Sequence, residues 1–129
     1  MTENDIATKV IGLAIKVHTA LGPGLLESAY RECLYFELLN SGLKVEKEKN
    51  MPLLYKTVKM DVGYRIDILV EQKVVVEIKS TEGMKDVFWA QTITYLKLGG
   101  FRLGFLINFN VFRLKDGIKR LAYGLPDFD

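Results

Sequence analysis

The chain is poor in the residues that usually declare a chemistry. Among its 129 residues there is one cysteine and one histidine. Cys33 has no second cysteine to pair with, so an intrachain disulfide is excluded, and a cytoplasmic setting is the simplest expectation. A cysteine nucleophile wants a histidine nearby, and the spacing of Cys33 and His18 gives no hint of that arrangement. His18 precedes TALGPG at an expected helix end, where a cation or a cap role is natural. No apolar run approaches the roughly 20 residues that cross a bilayer, so no membrane partner is expected. The opening MTENDIATKV is acidic and polar, unlike a secretory signal. Strong charge of either sign is also missing: 18 Lys and Arg stand against 16 Asp and Glu. A net charge of +2 permits a nucleic-acid partner without arguing for one. There are no repeats, no low-complexity segment and no linker, which leaves one domain over residues 1–129.

What is present is a globular composition, 49% hydrophobic and 26% charged. Ile6, Val10, Leu13, Ala14 and Val17 recur at helical spacing over about Asp5 to Ala20. LGPG at Leu21 to Gly24 stops that helix. A second helix is expected from about Leu25 to Asn40, with Leu26, Tyr30, Leu34 and Leu38 on one side, ended by Asn40, Ser41 and Gly42. VEKEKNMPLLYK reads as an edge strand, because Pro52 is tolerated there and KVEKEK suits a solvated face. DVFWAQTITYLKLGG reads as a helix ended by Gly99 and Gly100, with Phe88 and Trp89 as packing residues. RLGFLINF reads as a buried strand. KDG marks a turn, after which IKRLAY is a candidate last strand. The order is α-α-β-β-β-α-β with one candidate extra strand: an α/β fold, a mixed sheet flanked by helices.

The most informative stretch is YRIDILVEQKVVVEIKS, Tyr64 to Ser80. If the turn centres on Gln72, opposed residues sum to 144. Ile66, Ile68 and Val70 then face Ile78, Val76 and Val74 on an all-β-branched side. Arg65, Asp67 and Leu69 face Lys79, Glu77 and Val75 on the other. A one-residue slip would scramble both faces. EQK lacks the glycine or asparagine of a two-residue primed turn, so such a turn is not expected. Two carboxylates opposed at this distance repel if both are ionised. A hard divalent cation relieves the repulsion, since Mg²⁺ is commonly held by one or two carboxylates plus waters and phosphate oxygens. A lysine two residues from one carboxylate could then orient a water or balance charge. The same pattern also occurs as a plain cross-strand ion-pair cluster. Arg65 could hold a phosphate or pair with an exposed acid. Gln91 and Tyr95 lie four apart, on one helical face.

Further along this argument, Gly24, Glu27 and Tyr30 spell Gly-x-x-Glu-x-x-Tyr within LGPGLLESAYRECLYFEL. Together with YRIDILVEQKVVVEIKS, AQTITYLKL, LGFLINF and LKDGIKR, the chain from about Ile6 to Tyr123 resembles the bacterial GxxExxY protein family, which is placed in the PD-(D/E)xK nuclease-like superfamily. The resemblance implies a restriction-endonuclease-like core and a Mg²⁺- or Mn²⁺-dependent nuclease acting on nucleic acid, DNA first. It implies Asp67 and Glu77 as metal ligands with the carbonyl of Ile78, and Lys79 as the catalytic lysine. It implies Glu27 as an extra acid, and Gln91 and Tyr95 as residues that line the site and touch substrate; Arg65, by its position opposite Lys79, is the further candidate substrate contact. One departure is that Ile66, not proline, precedes Asp67. The other reading is a non-catalytic module that keeps the fold and binds nucleic acid or a protein. A homodimer is a further expectation, through the edge strand at Met51 to Tyr55.

Overall fold

The computed structural model describes residues 1–125. Its elements are α1 (Glu3–Leu21), α2 (Glu27–Asn40), β1 (Val45–Tyr55), β2 (Val58–Val70), β3 (Val74–Lys79), α3 (Asp86–Gly99), β4 (Leu103–Asn108), a 3-10 turn at Leu114–Gly117 and β5 (Ile118–Ala122). The expected order holds, and the candidate last strand is real. The sheet runs β1-β2-β3-β4-β5. All neighbours are antiparallel except β3 and β4, which the α3 crossover makes parallel.

Local chemistry explains the helix ends. Thr2 and Asp5 form a reciprocal capping box at the start of α1. Helix α2 begins at Glu27, later than expected, because Gly22 at φ 71° and Gly24 at φ 101° turn the chain outside helical conformation before Leu26. Leu26 is therefore the exposed N-cap residue, not part of the buried stripe. Tyr30, Leu34 and Leu38 are buried as their spacing predicts.

Helices α1 and α2 cover one sheet face, packing on Ile68, Val70, Val74, Val76, Ile78, Phe105 and Ile107. Helix α3 covers the other face, where Leu96 meets Ile66, Leu69, Val75, Leu106 and Leu121. Strands β3 and β4 are buried on both sides, as expected where parallel strands lie under two helical layers. A charged residue in such a strand is costly unless it is compensated.

The predicted hairpin register is found at Ile68–Val76, Leu69–Val75 and Val70–Val74. Two details differ from the sequence reading. Glu71 and Gln72 both adopt left-handed backbone, with φ of 53° and 55°, and the Lys73 N–H donates to the Val70 carbonyl at 3.0 Å. This is the geometry of a primed turn, built without glycine. The Glu71 side chain accepts from the Lys44 N–H and its N–H donates to the Lys44 carbonyl, so contacts with the chain before β1 fix the turn. The second difference is Ile66, which lies in the α3-side cluster and not beside Ile68. The regular pairing of β1 with β2 skips Glu48 and Asp67, and Glu48 has φ 48°. The kink at that point turns Ile66 to the opposite face.

Strand β2 also starts well before Tyr64. Beyond the kink, β1 and β2 continue as a two-stranded ribbon past the edge of β3, with a bulge between Pro52 and Leu54.

Candidate active site

Below Ile68–Val76 the backbone ladder between β2 and β3 gives way to side chains. The Asp67 N–H donates to Oε2 of Glu77 at 2.8 Å. The Ile78 N–H donates to Oδ2 of Asp67 at 2.8 Å. Each carboxylate thus replaces a strand-to-strand bond by gripping the backbone of the opposing strand. One oxygen of each is engaged in this way. The other oxygens, Oδ1 of Asp67 and Oε1 of Glu77, make no hydrogen bond among the described residues.

Burial makes this pair electrostatically expensive. Glu77 is 3% exposed. Loss of water, and then the neighbouring Asp67, push its carboxyl up to about 8, despite the Asp67 N–H and the Lys79 ammonium. Burial likewise raises Asp67, outweighing the Ile78 N–H and the cations of Arg31, Lys79 and Arg65. The two titrate as a unit. A site that holds two carboxylates against their own repulsion is one that a divalent cation would stabilise.

The neighbours come from both helical layers. Glu27 opens α2, where the helix dipole favours an acid. Burial raises its carboxyl, and it feels both Lys79 and Asp67. Its position is set by the loop before it. The Tyr30 hydroxyl donates to the Gly22 carbonyl at 2.6 Å and accepts from the Leu25 N–H at 3.1 Å. The fully buried Tyr30 ring stacks on Phe109, with centroids 4.6 Å apart. Ser80, next to Lys79, donates from Oγ to the Leu25 carbonyl at 2.6 Å. Gly24 turns the loop at φ 101°, a conformation that L side chains rarely adopt. In the Gly-x-x-Glu-x-x-Tyr pattern, then, the glycine and tyrosine shape and pin the loop that delivers Glu27.

Lys79 ends β3, and its ammonium lies 4.5 Å over the Phe88 ring. It makes no salt bridge among the described residues. The backbone around it is clamped. The Phe109 N–H donates to the Lys79 carbonyl at 2.9 Å, and the buried Asn108 side chain holds both the N–H and the carbonyl of Thr81. From α3, Tyr95 stacks on Tyr64 at 4.9 Å. Burial raises the Tyr95 phenol, with Glu77 and Asp67 adding to the shift. Gln91 is exposed on α3 and makes no side-chain hydrogen bond among the described residues. Arg65 pairs with Asn50 of β1 rather than with Lys79, and its guanidinium is 3.9 Å from Glu48.

One residue of this neighbourhood escaped the sequence reading. Arg31 follows Glu27 by one helical turn, and its side chain is 17% exposed. It reaches Glu48 at 3.5 Å and Glu32 at 3.6 Å, yet its buried Nε has no hydrogen-bond partner among the described residues. The i, i+4 spacing from Glu27 was the available signal. His18 proves structural: it is buried, and its Nε2 lies 2.8 Å from the Val111 carbonyl.

Among the described residues, no group of three or more His, Cys, Asp or Glu converges closely enough to hold a metal on side chains alone. The donor set is therefore two carboxylates, with Glu27 beyond bonding reach. Two carboxylates suit Mg²⁺ or Mn²⁺, which take the rest of their oxygen shell from water and phosphate. No helix among the described residues is long and apolar enough to cross a membrane.

No curated protein and no solved structure matches the chain. A family model described as the PD-(D/E)XK nuclease superfamily matches residues 4–121, which takes in all three helices and nearly the whole sheet. With Asp67 on β2 facing Glu77 and Lys79 on β3, the chain belongs to the PD-(D/E)XK nuclease superfamily.

Proposed function

We propose that the protein is a divalent-metal-dependent nuclease that hydrolyses phosphodiester bonds of DNA. The observation that carries this reading is the reciprocal grip of Asp67 and Glu77, two buried carboxyls held between strands with one oxygen of each free of hydrogen bonds among the described residues. Gly24, Glu27 and Tyr30 support the finer assignment to the bacterial GxxExxY group.

Asp67, Glu77 and the Ile78 carbonyl would hold Mg²⁺ or Mn²⁺. The ion would supply Lewis acidity and a water of lowered pKa. Lys79 would orient the attacking water and offset charge that develops on the phosphate. Glu27 would act through an intervening water. Gln91 would position the water or the phosphate. Tyr95 and Arg65 would contact the substrate, with Arg65 leaving Glu48 to do so.

The test is cleavage of plasmid and single-stranded DNA with Mg²⁺ or Mn²⁺ by the wild type and by an Asp67→Ala, Glu77→Ala double variant. Cleavage by the wild type alone is the expected result. Equal cleavage by both proteins would rule the site out. If neither cleaves, the non-catalytic reading takes over: a nucleic-acid- or protein-binding module that keeps the fold. That no third side-chain acid among the described residues converges on the pair is the observation on its side.

A further inference from the structure

The ribbon formed by β1 and β2 beyond the kink has no assigned role. Among the described residues no third strand pairs with it. A two-stranded ribbon is at best marginally stable by itself, so an exposed one of this length invites a partner. Its side chains are of two kinds. Leu54, Tyr55, Val58 and Val62 are exposed apolar groups, between 56% and 68% accessible. Residues 49–65 also hold four cations, Lys49, Lys56, Lys59 and Arg65, against one anion, Asp61. That segment is +3 (4 − 1), whereas the whole chain is +2, so the remainder is −1. Lys49 and Arg65 already face Glu46 and Glu48. Lys56 and Lys59 make no salt bridge among the described residues.

The ribbon is also shaped, and it leads to the carboxylates. At the bulge Gly63 passes so close to β1 that a Cβ would collide with the Met51 carbonyl. The bend encloses an open groove of about 750 Å³ that runs from Lys59 and Asp61 to Tyr64 and Arg65. Tyr64 stacks on Tyr95 at the site, and Arg65 bears on Asp67. A polyanion whose phosphate sits at Asp67 and Glu77 is thereby led along the ribbon.

We propose that this ribbon is a nucleic-acid-binding arm that follows the sugar–phosphate backbone of a duplex away from the site. Lys56 and Lys59 contact phosphates, while Leu54, Tyr55 and Val58 lie against sugars and the groove wall. A duplex groove admits a two-stranded ribbon. About eight residues separate the kink from the tip, roughly 25 Å at the rise of a strand. At 3.4 Å per base pair, that reaches about seven base pairs from the scissile phosphate. Charge disfavours a second copy as the occupant, since a two-fold contact would set one cationic ribbon against another.

This inference rests on the nuclease reading for its geometry, but binding can be measured apart from cleavage. Fluorescence anisotropy of a labelled 30-base-pair DNA, in EDTA, is compared for wild type and Lys56→Gln, Lys59→Gln over a salt series. Each lost phosphate contact should flatten the log–log salt slope by about 0.9, so the double variant should lose about 1.8 and bind at least tenfold more weakly at low salt. With a duplex cut to under seven base pairs beyond the site, the two proteins should converge. An unchanged slope and affinity overturn the proposal, as does a wild type that binds no duplex. A wild-type dimer in sedimentation equilibrium that Leu54→Arg disperses also overturns it, because the ribbon would then be the self-contact. Ribbon-dependent binding without cleavage in Mn²⁺ sustains the arm and sinks the nuclease reading. Cleavage with no ribbon dependence does the reverse.

Discussion

Lys79→Met should slow phosphodiester cleavage at least a hundredfold while leaving Mn²⁺ binding and duplex binding nearly unchanged. The ammonium stands two residues beyond Glu77 and over the face of Phe88 rather than in an ion pair. A ring face holds a cation in place without neutralising it. The charge therefore stays available to a water or to the oxygen on which charge develops. Groups of that kind contribute about 10²–10⁴ in rate. Methionine keeps most of the stem packing and removes only the charge. Lys79→Arg keeps the charge on a planar fork and should recover part of the rate. Single-turnover rates at saturating enzyme would decide the matter. A wild-type rate in Lys79→Met would reduce Lys79 to a packing and charge-balancing residue.

The second large effect concerns stability. Glu77 holds its proton up to about pH 8 in the folded chain, against 4.5 for an unperturbed glutamate. Between those values the folded state binds more protons than the unfolded state, so stability falls as pH rises through the window. The metal-free wild type should be most stable near pH 5 and lose up to about 1.4 kcal/mol for each pH unit toward 8. Glutamine mimics the protonated acid and can still accept the Asp67 N–H. Glu77→Gln should remove most of the slope and, at pH 8, stabilise the metal-free protein by on the order of 3 kcal/mol. Mn²⁺ should raise the wild type's melting temperature at pH 8 and leave that of the variant nearly unmoved. Thermal unfolding at several pH values, with and without Mn²⁺, reads all of this. Parallel pH profiles for the two proteins would mean that the Glu77 carboxyl is not under strain.

The parts of the fold written as periodic apolar patterns were legible. Ile68, Val70, Val74 and Val76 fixed the hairpin register because only one register sorts them onto one face. Tyr30, Leu34 and Leu38 fixed the buried side of α2. What stayed hidden depends on backbone conformations that the side chains do not advertise. Glu48, Glu71 and Gln72 are left-handed without being glycine, Glu71 tied to Lys44 and Glu48 to Arg31 and Arg65, and the kink at Glu48 is what displaces Ile66. The ribbon was missed although VKMDVG before Tyr64 alternates Val58, Met60 and Val62 with polar residues, because that apolar side is not buried in a core and its pairing is supplied by β1.

The acidic pair was legible for a related reason. A carboxylate inside a run of valines and isoleucines is costly unless something compensates it, so Asp67 and Glu77 stood out. Arg31 did not, because an arginine on an amphipathic helix reads as a solvated residue until the fold sets it beside Glu48. Tyr30 was noticed, but its work is done on the Gly22–Leu25 loop and not on a ligand.

The nuclease reading depends first on whether Asp67 and Glu77 make a cation site. Calorimetric titration of Mn²⁺ into the wild type at pH 7, in two buffers of different ionisation enthalpy, tests that directly. Saturable binding is expected, with release of close to one proton per ion, because Glu77, with its carboxyl pushed up to about 8, must ionise to become a ligand. Neither binding nor proton release is expected in Asp67→Asn, Glu77→Gln. A folded wild type that takes up no Mn²⁺ at millimolar concentration, or a double variant that binds it equally well, would contradict that reading.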